Sequence, residues 1–194
     1  YISGFAPWSN AYGAMIFIGA MTIFAGLVVG RKNLLVLSAS ALLGGITMLV
    51  AHLSDMNPQI TTLMPVLKSY WLMIHVALII SGDGFFGLGS ILSLFALVIM
   101  IFKDKINMAH KSLSELTNLS EMSIIIGLVL FTVGNFLGGV WANESWGRYW
   151  GWDPKETWAA VTILIYAAVV HLRFIPSLKT SYVYNLAALW AYST

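Results

Sequence analysis

Apolar runs of membrane-span length recur along this chain and limit what it can fold into. The runs lie at about Tyr12 to Val29, Leu34 to Leu53, Tyr70 to Phe102, Met122 to Val140 and Trp158 to His171, and another begins near Tyr182. A bilayer core needs about 20 apolar residues of α-helix, because lipid leaves every backbone polar group to be satisfied within the segment. The expectation is therefore an all-α, polytopic membrane bundle of about five full spans plus a truncated sixth, forming one membrane domain over residues 1–194. Composition agrees: 59% of residues are hydrophobic and 9% are charged, against about a quarter charged in a soluble domain. A net charge of +2 gives no basis for a nucleic-acid partner. The absence of cysteine excludes disulfides, iron–sulfur ligation and a Cys-x-x-Cys-His haem attachment site within this sequence.

The connections are read as follows. Residues 1–10 form a polar lead in which Ser9 or Asn10 can cap the first helix, with Trp8 at the interface. Residues 54–69, with two prolines, break the pattern as a loop or short interfacial helix. The third run is longer than a bilayer is thick, so it either projects or bends near its four glycines between Ser81 and Ser90. Residues 103–120 are polar and read as a loop. The chain opens on Tyr1 with no charged leader and stops at Thr194 inside an apolar run, which is expected of part of a longer polypeptide. Alternating sides gather Arg31, Lys32, Lys103, Lys105, Lys111, Arg173 and Lys179 on one face, against Lys68, Arg148 and Lys155 on the other. The positive-inside rule then puts residues 1–10, 54–69 and 141–158 outside.

The stretch 141–158, WANESWGRYWGWDPKETW, concentrates five of the eight tryptophans and five of the eighteen charged residues between two apolar runs. An interfacial aromatic belt accounts for one or two tryptophans per helix end, not five interleaved with Gly147 and Gly151. The combination points to a flat amphipathic ligand at a membrane surface, stacked on by indoles and neutralised at its rim by Arg148 and Lys155. Asp153-Pro154-Lys155-Glu156 reads as a helix start: Asp as N-cap, Pro first, and Glu reaching back to the cap. Of the four histidines, His75 and His171 sit in apolar sequence, where ionisable residues are more often functional than not. His52 and His110 read as ordinary interfacial residues. Asp83, inside the third run, is costly unless paired or wet. It is the coupling acid in one competing reading, a plain transporter, which leaves the tryptophans unexplained. A di-haem b-type electron carrier is a second, disfavoured because it needs histidine pairs at two depths.

The run WGRYWGWDPKETW resembles the WWD signature of the haem-handling superfamily of cytochrome c maturation, and its Asp-Pro-Lys-Glu-Thr ending resembles the CcsA (ResC-like) branch rather than CcmC or CcmF. LMPVLKSYWLMIHV (63–76), VVHLRF (169–174) and APWSNAYGAMIF (6–17) are similar to CcsA segments in the same order. The chain departs from that pattern at Gly13, where Glu is common, near Asp83, where Tyr is common, and at Phe5, often His in close relatives. The resemblance implies a membrane subunit that presents haem b for thioether attachment to the Cys-x-x-Cys-His thiols of apocytochrome c. It would act with, or fused to, a CcsB (ResB-like) partner and alongside thiol-reducing proteins, in a bacterial inner or plastid thylakoid membrane. The complex would be a holocytochrome c synthase, with no catalytic nucleophile supplied by this chain. On that resemblance His75 matches an external haem-iron ligand and His171 a transmembrane one. Trp146, Trp150, Trp152 and Asp153 match the WWD core, and Trp141, Arg148 and Lys155 join them in the haem-binding stretch. The second external histidine falls beyond Thr194. A haem exporter or chaperone without synthase activity would share all these residues.

Overall fold

The computed structural model describes residues 6, 8, 10–56, 58–59, 69–102 and 110–194, the side chains of 110 and 111 excepted. Most of the expected 54–69 connection, part of the 103–120 connection and His110's side chain fall outside them. Among the described residues every element is helical: α1 (Ala11–Gly30), α2 (Leu34–Leu53), α3 (Tyr70–Ile101), α4 (His110–Trp146), α5 (Pro154–His171), a 3-10 turn at Leu172–Phe174, and α6 (Ser181–Ala191). Five of them are long and apolar enough to cross a membrane, and α6, with 11 residues, is not. The protein is an integral membrane protein with an all-α polytopic bundle.

Side-chain caps set the starts of four helices. Asn10 accepts from the Gly13 amide at 2.7 Å at the start of α1, and Asn33 accepts from the Leu35 and Val36 amides at the start of α2. Asp153 caps α5 and Thr180 caps α6. Each cap satisfies amides that have no intrahelical partner.

The middle of the bundle is α3, which packs against α1, α2, α4 and α6 while α5 closes on α4 and α6. Consecutive phenylalanines show how it divides the core. Phe85 joins Ala25, Val36, Leu88, Leu92 and Leu116 in a cluster shared with α1, α2 and α4. Phe86 joins Ile124, Phe131, Tyr166 and Ala188 in a cluster shared with α4, α5 and α6. Its glycines are contact points rather than a break, since α3 is one continuous helix. A Cβ on Gly84 would lie 3.0 Å from the Thr22 amide of α1, and one on Gly89 2.6 Å from Ile124 of α4. Small residues at helix crossings let backbones approach, the usual basis of association in lipid. Polar glue adds to it: Ser120 donates to the Gly89 carbonyl at 2.8 Å, and Ser123 donates to that of Phe85 at 2.7 Å. Large apolar side chains such as Phe136 and Leu164 face outward, as lipid permits.

The fourth span is longer than its apolar run. Its 37 residues extend through part of the polar stretch and on to Trp146. Leu113, Leu116 and Leu119, spaced by three, turn that stretch into an amphipathic helix, with Leu116 fully buried in the α3 core. At the other end the helix stops only at Gly147, whose φ of +71° is the left-handed closing turn and whose amide donates to the Asn143 carbonyl at 2.8 Å.

Candidate functional site

The tryptophan-rich stretch is thus loop only at 147–153: Trp141 and Trp146 ride on the last turns of α4, and Trp158 on the second turn of α5. Two carboxylates hold the loop. Asp153 accepts from the Glu156 amide at 2.9 Å, with Pro154 in the first helical turn, as the sequence pattern predicts. Glu156 reaches past the cap and accepts from the Gly151 amide at 2.6 Å. The expected reciprocal box is therefore a clamp across the loop. Arg148 lies over Gly151 so closely that a Cβ there would displace its guanidinium. Trp152 pays in conformation: its φ of +58° is left-handed, rare for a bulky residue, and its indole is 76% exposed.

Beneath this loop lies a cavity of about 980 Å³, at the upper end of ligand-pocket sizes. Three helices contribute one face each. Along α3 these are His75, Ile79 and Asp83, four residues apart. Along α4 they are Phe131, Asn135, Gly138 and Ala142, and along α5 Trp158, Thr162 and Tyr166. Those spacings each follow one side of a helix. Trp141, Trp146, Trp150, Asp153 and Lys155 line the mouth, and Tyr192, at the end of α6, faces in from the fourth side.

The walls are aromatic and largely edge-to-face. Trp141 meets Trp146 with ring centroids 4.7 Å apart, and Trp150 meets Trp152 at 5.7 Å, nearly perpendicular. At the base Phe86 and Tyr166 stack at 3.6 Å with planes 2° apart. Two polar groups of the lining are buried with no partner among the described residues, the Trp150 indole nitrogen and the Tyr166 hydroxyl. Buried donors left unpaired cost about 1–3 kcal/mol each, which a ligand or water in the cavity would offset.

His75 is half-buried and its tautomer is set by geometry. Nδ1 lies 2.7 Å from the Gly134 carbonyl, which only accepts, so Nδ1 carries the proton and Nε2 keeps a lone pair. Gly138 makes room for the ring, since a Cβ there would lie 2.6 Å from imidazole atoms. Metal-ligating histidines commonly make such a bond with the far nitrogen. Among the described residues no three His, Asp or Glu side chains converge to hold a bare metal ion. One available imidazole beside flat aromatic walls fits an iron already held in a macrocycle.

The expected site residues therefore divide. His75, Trp141, Trp146, Trp150, Asp153 and Lys155 share the cavity, while Arg148 and Trp152 lie on the loop outside its lining. His171 is at the opposite end of α5, exposed against Phe174, with Nδ1 2.7 Å from the Ala167 carbonyl. Eighteen residues of helix put it about 27 Å from the loop, in no common site with His75. His52 is exposed at the end of α2. Sequence reasoning left Asp83 between a cavity wall and a glycine-rich break and did not single out Tyr166, and both line the cavity. The four-residue spacing of Asp83 from Ile79 and His75 was the available signal.

Residues 8–194 match the family described as Cytochrome C assembly protein. Over its whole length the chain is 47% identical to Protein NrfI of Wolinella succinogenes, of which it spans 22%. It is 34% identical to the cytochrome c biogenesis protein CcsA of Guillardia theta, with 96% of this chain matched to 70% of that one. With CcsA of Chlamydomonas reinhardtii it shares 36% identity over 88% of this chain and 51% of that one.

Proposed function

Because the chain belongs to the Cytochrome C assembly protein family, we propose that the cavity beneath its tryptophan loop receives haem b and presents it for attachment to apocytochrome c. Cytochrome c assembly joins haem to a polypeptide, so some member of the machinery must hold the haem while its vinyl edge stays open. The observation that carries this reading is His75: protonated at Nδ1 by the Gly134 bond, with Nε2 available, in a cavity walled by Trp141, Trp146 and Trp150. The volume and the flat aromatic walls suit a porphyrin, and Nε2 suits its iron.

Haem is here a substrate, and its chemistry is simple to balance. Each thioether forms when a client thiol adds across a vinyl double bond: sulfur bonds one carbon, hydrogen the other, and no electron is gained or lost. The nucleophile belongs to the client, so this chain supplies position. His75 would fix the iron, the indoles would exclude water from the ring, and Lys155 would set positive charge at the mouth. The Glu156–Gly151 and Asp153–Glu156 bonds hold the loop to the start of α5, so the tryptophans keep their place without the ligand.

A second histidine for the iron would come from outside residues 1–194. His171 would serve a separate haem position at the far end of α5, sharing the iron with a CcsB-type partner. The expected setting is a bacterial inner or thylakoid membrane, with the tryptophan loop on the periplasmic or lumenal side and thiol-reducing proteins keeping the client reduced.

The test is the visible spectrum of the purified full-length protein beside its His75→Ala variant. The wild type is expected to show the split bands of six-coordinate haem. The variant should lose or weaken them, and added imidazole should restore them. A wild type without haem, or a variant spectrally identical to it, would sink the reading.

A further inference from the structure

Three acids line the cavity, and two have structural work: Asp153 caps α5 and Glu156 holds the Gly151 amide. Asp83 does neither. It lies eight residues along α3 from His75, about 12 Å down the axis on the same side of the helix. No cation pairs with it, because the ion pair formed among the described residues is Arg173–Glu121, at the far end of the bundle. The groups that face it are His75 on its own helix, the hydroxyls of Tyr166 from α5 and Tyr192 from the end of α6, and Phe131 and Asn135 from α4. Its backbone neighbourhood is closed by α1 at Gly84. Lys155 belongs to the mouth, not to this level. An unpaired carboxyl halfway along a spanning helix is expensive in lipid and is kept where it meets water, a proton or a ligand.

Resting on the haem reading of this cavity, we propose that Asp83 is a redox-linked proton site: it takes up a proton when an iron porphyrin bound beneath the tryptophan loop is reduced, and releases it on oxidation. The balance is one electron from a one-electron reductant to ferric iron and one hydronium proton from the solvent at the cavity mouth to the Asp83 carboxylate, giving ferrous iron, a neutral acid and water. The reason is charge. Reduction removes one positive charge from a ring held at His75, and Asp83 is the nearby lining group with no partner to compensate it. Charges on the order of 12 Å apart at an effective dielectric of about 20 are coupled about tenfold, which sets the scale expected between Asp83 and an iron held near His75, and a buried pair is poorly screened by salt. Tyr166 and Tyr192 do not substitute, since a phenol is neutral at either redox state near neutral pH. Asp83 would thereby hold the iron's charge state in step with proton supply on the side where the client thiols arrive.

Spectroelectrochemical titration of the full-length protein with its bound haem, from mildly acid to mildly alkaline pH, tests this. The wild-type midpoint potential is expected to fall as pH rises. Asp83→Asn should lose that slope and sit near the acid limit of the wild type, and Asp83→Glu should keep it. Equal slopes in wild type and Asp83→Asn would overturn the proposal. Should Asp83→Asn fail to hold haem, the redox difference infrared spectrum of the wild type decides. A protonated-carboxyl carbonyl band that appears on reduction and shifts in heavy water supports the proposal, and its absence refutes it. A wild type that binds no haem overturns the cavity reading itself, whereas bound haem with a pH-independent potential overturns the role of Asp83 alone.

Discussion

A histidine becomes a ligand through what occupies its other nitrogen. His75 stands out in the sequence because it is ionisable within an apolar run, but its partner is a backbone carbonyl 59 positions away, and backbone carbonyls carry no sequence signal. The same holds for Gly138, one helical turn further, whose missing side chain is the space the imidazole fills. Gly138→Ala is therefore expected to push the ring off its Gly134 bond. Overpacking of this kind costs about 1–3 kcal/mol, well short of unfolding a bundle this size. The variant should retain its helical circular dichroism while its haem spectrum shifts toward that of His75→Ala. A normal haem spectrum in Gly138→Ala would mean that the ring has slack and that the Gly134 bond does not orient it. The loop was more legible at this scale. Asp153 and Pro154 announce a helix start by type and order, and the structure adds only the longer reach of Glu156 to Gly151. Glu156→Gln keeps an acceptor for that amide, whereas Glu156→Ala leaves it unpaired. Haem retention is expected to fall in the alanine variant and to be largely kept in the glutamine one. Equal retention in both would show that the clamp does not set the loop.

At the level of elements, apolar length was a sufficient guide to which helices exist and a poor guide to where α4 ends. Span-length counting sees Met122 to Val140. The turns before it are polar by composition yet amphipathic by spacing, and the Leu113–Leu116–Leu119 row takes them onto α3. The length of the third run leaves two options, projection or a bend near its glycines, and α3 takes the first as one continuous helix. In a bundle those glycines are the surfaces where other helices approach, a property of neighbours that no single segment displays. Two substitutions separate these roles. Gly89→Val would drive a branched side chain into Ile124, where even a Cβ comes within 2.6 Å, and should lower stability by about 1–3 kcal/mol. Gly45→Ala meets nothing within 4 Å on an exposed face of α2 and should be neutral or stabilising by up to about 1 kcal/mol through helix propensity alone. Thermal unfolding in one detergent compares them directly. A drop of similar size in both would mean that the close approach of α3 to α4 contributes little.

For the whole molecule the question is which end of the bundle faces which compartment. Contacts at the two ends agree with strict alternation of the helices. At one end Asn33, before α2, donates to Glu115 near the start of α4, and Arg173, after α5, pairs with Glu121 of α4. At the other end the Trp8 indole donates to the Met73 carbonyl near the start of α3, and that of Trp158 to Thr194 after α6. The tryptophan loop therefore shares an end with the cavity mouth, and Arg31, Lys32, Arg173 and Lys179 lie at the opposite end. The charge bias predicts the loop outside. Because the sequence contains no cysteine, each introduced thiol is the only one within these residues. Glu144 is exposed beside the loop and Lys179 is exposed at the far end, so cysteines there report one end each. Glu144→Cys should react with a membrane-impermeant maleimide in intact cells, and Lys179→Cys only after permeabilisation. Replacing Lys179 still leaves six basic residues against three, so the substitution should not turn the protein over. The reverse labelling pattern would put the cavity on the cytoplasmic side. A haem held at His75 would then be out of reach of thiols on an exported cytochrome, and the cavity would have to be a loading site rather than the place of attachment.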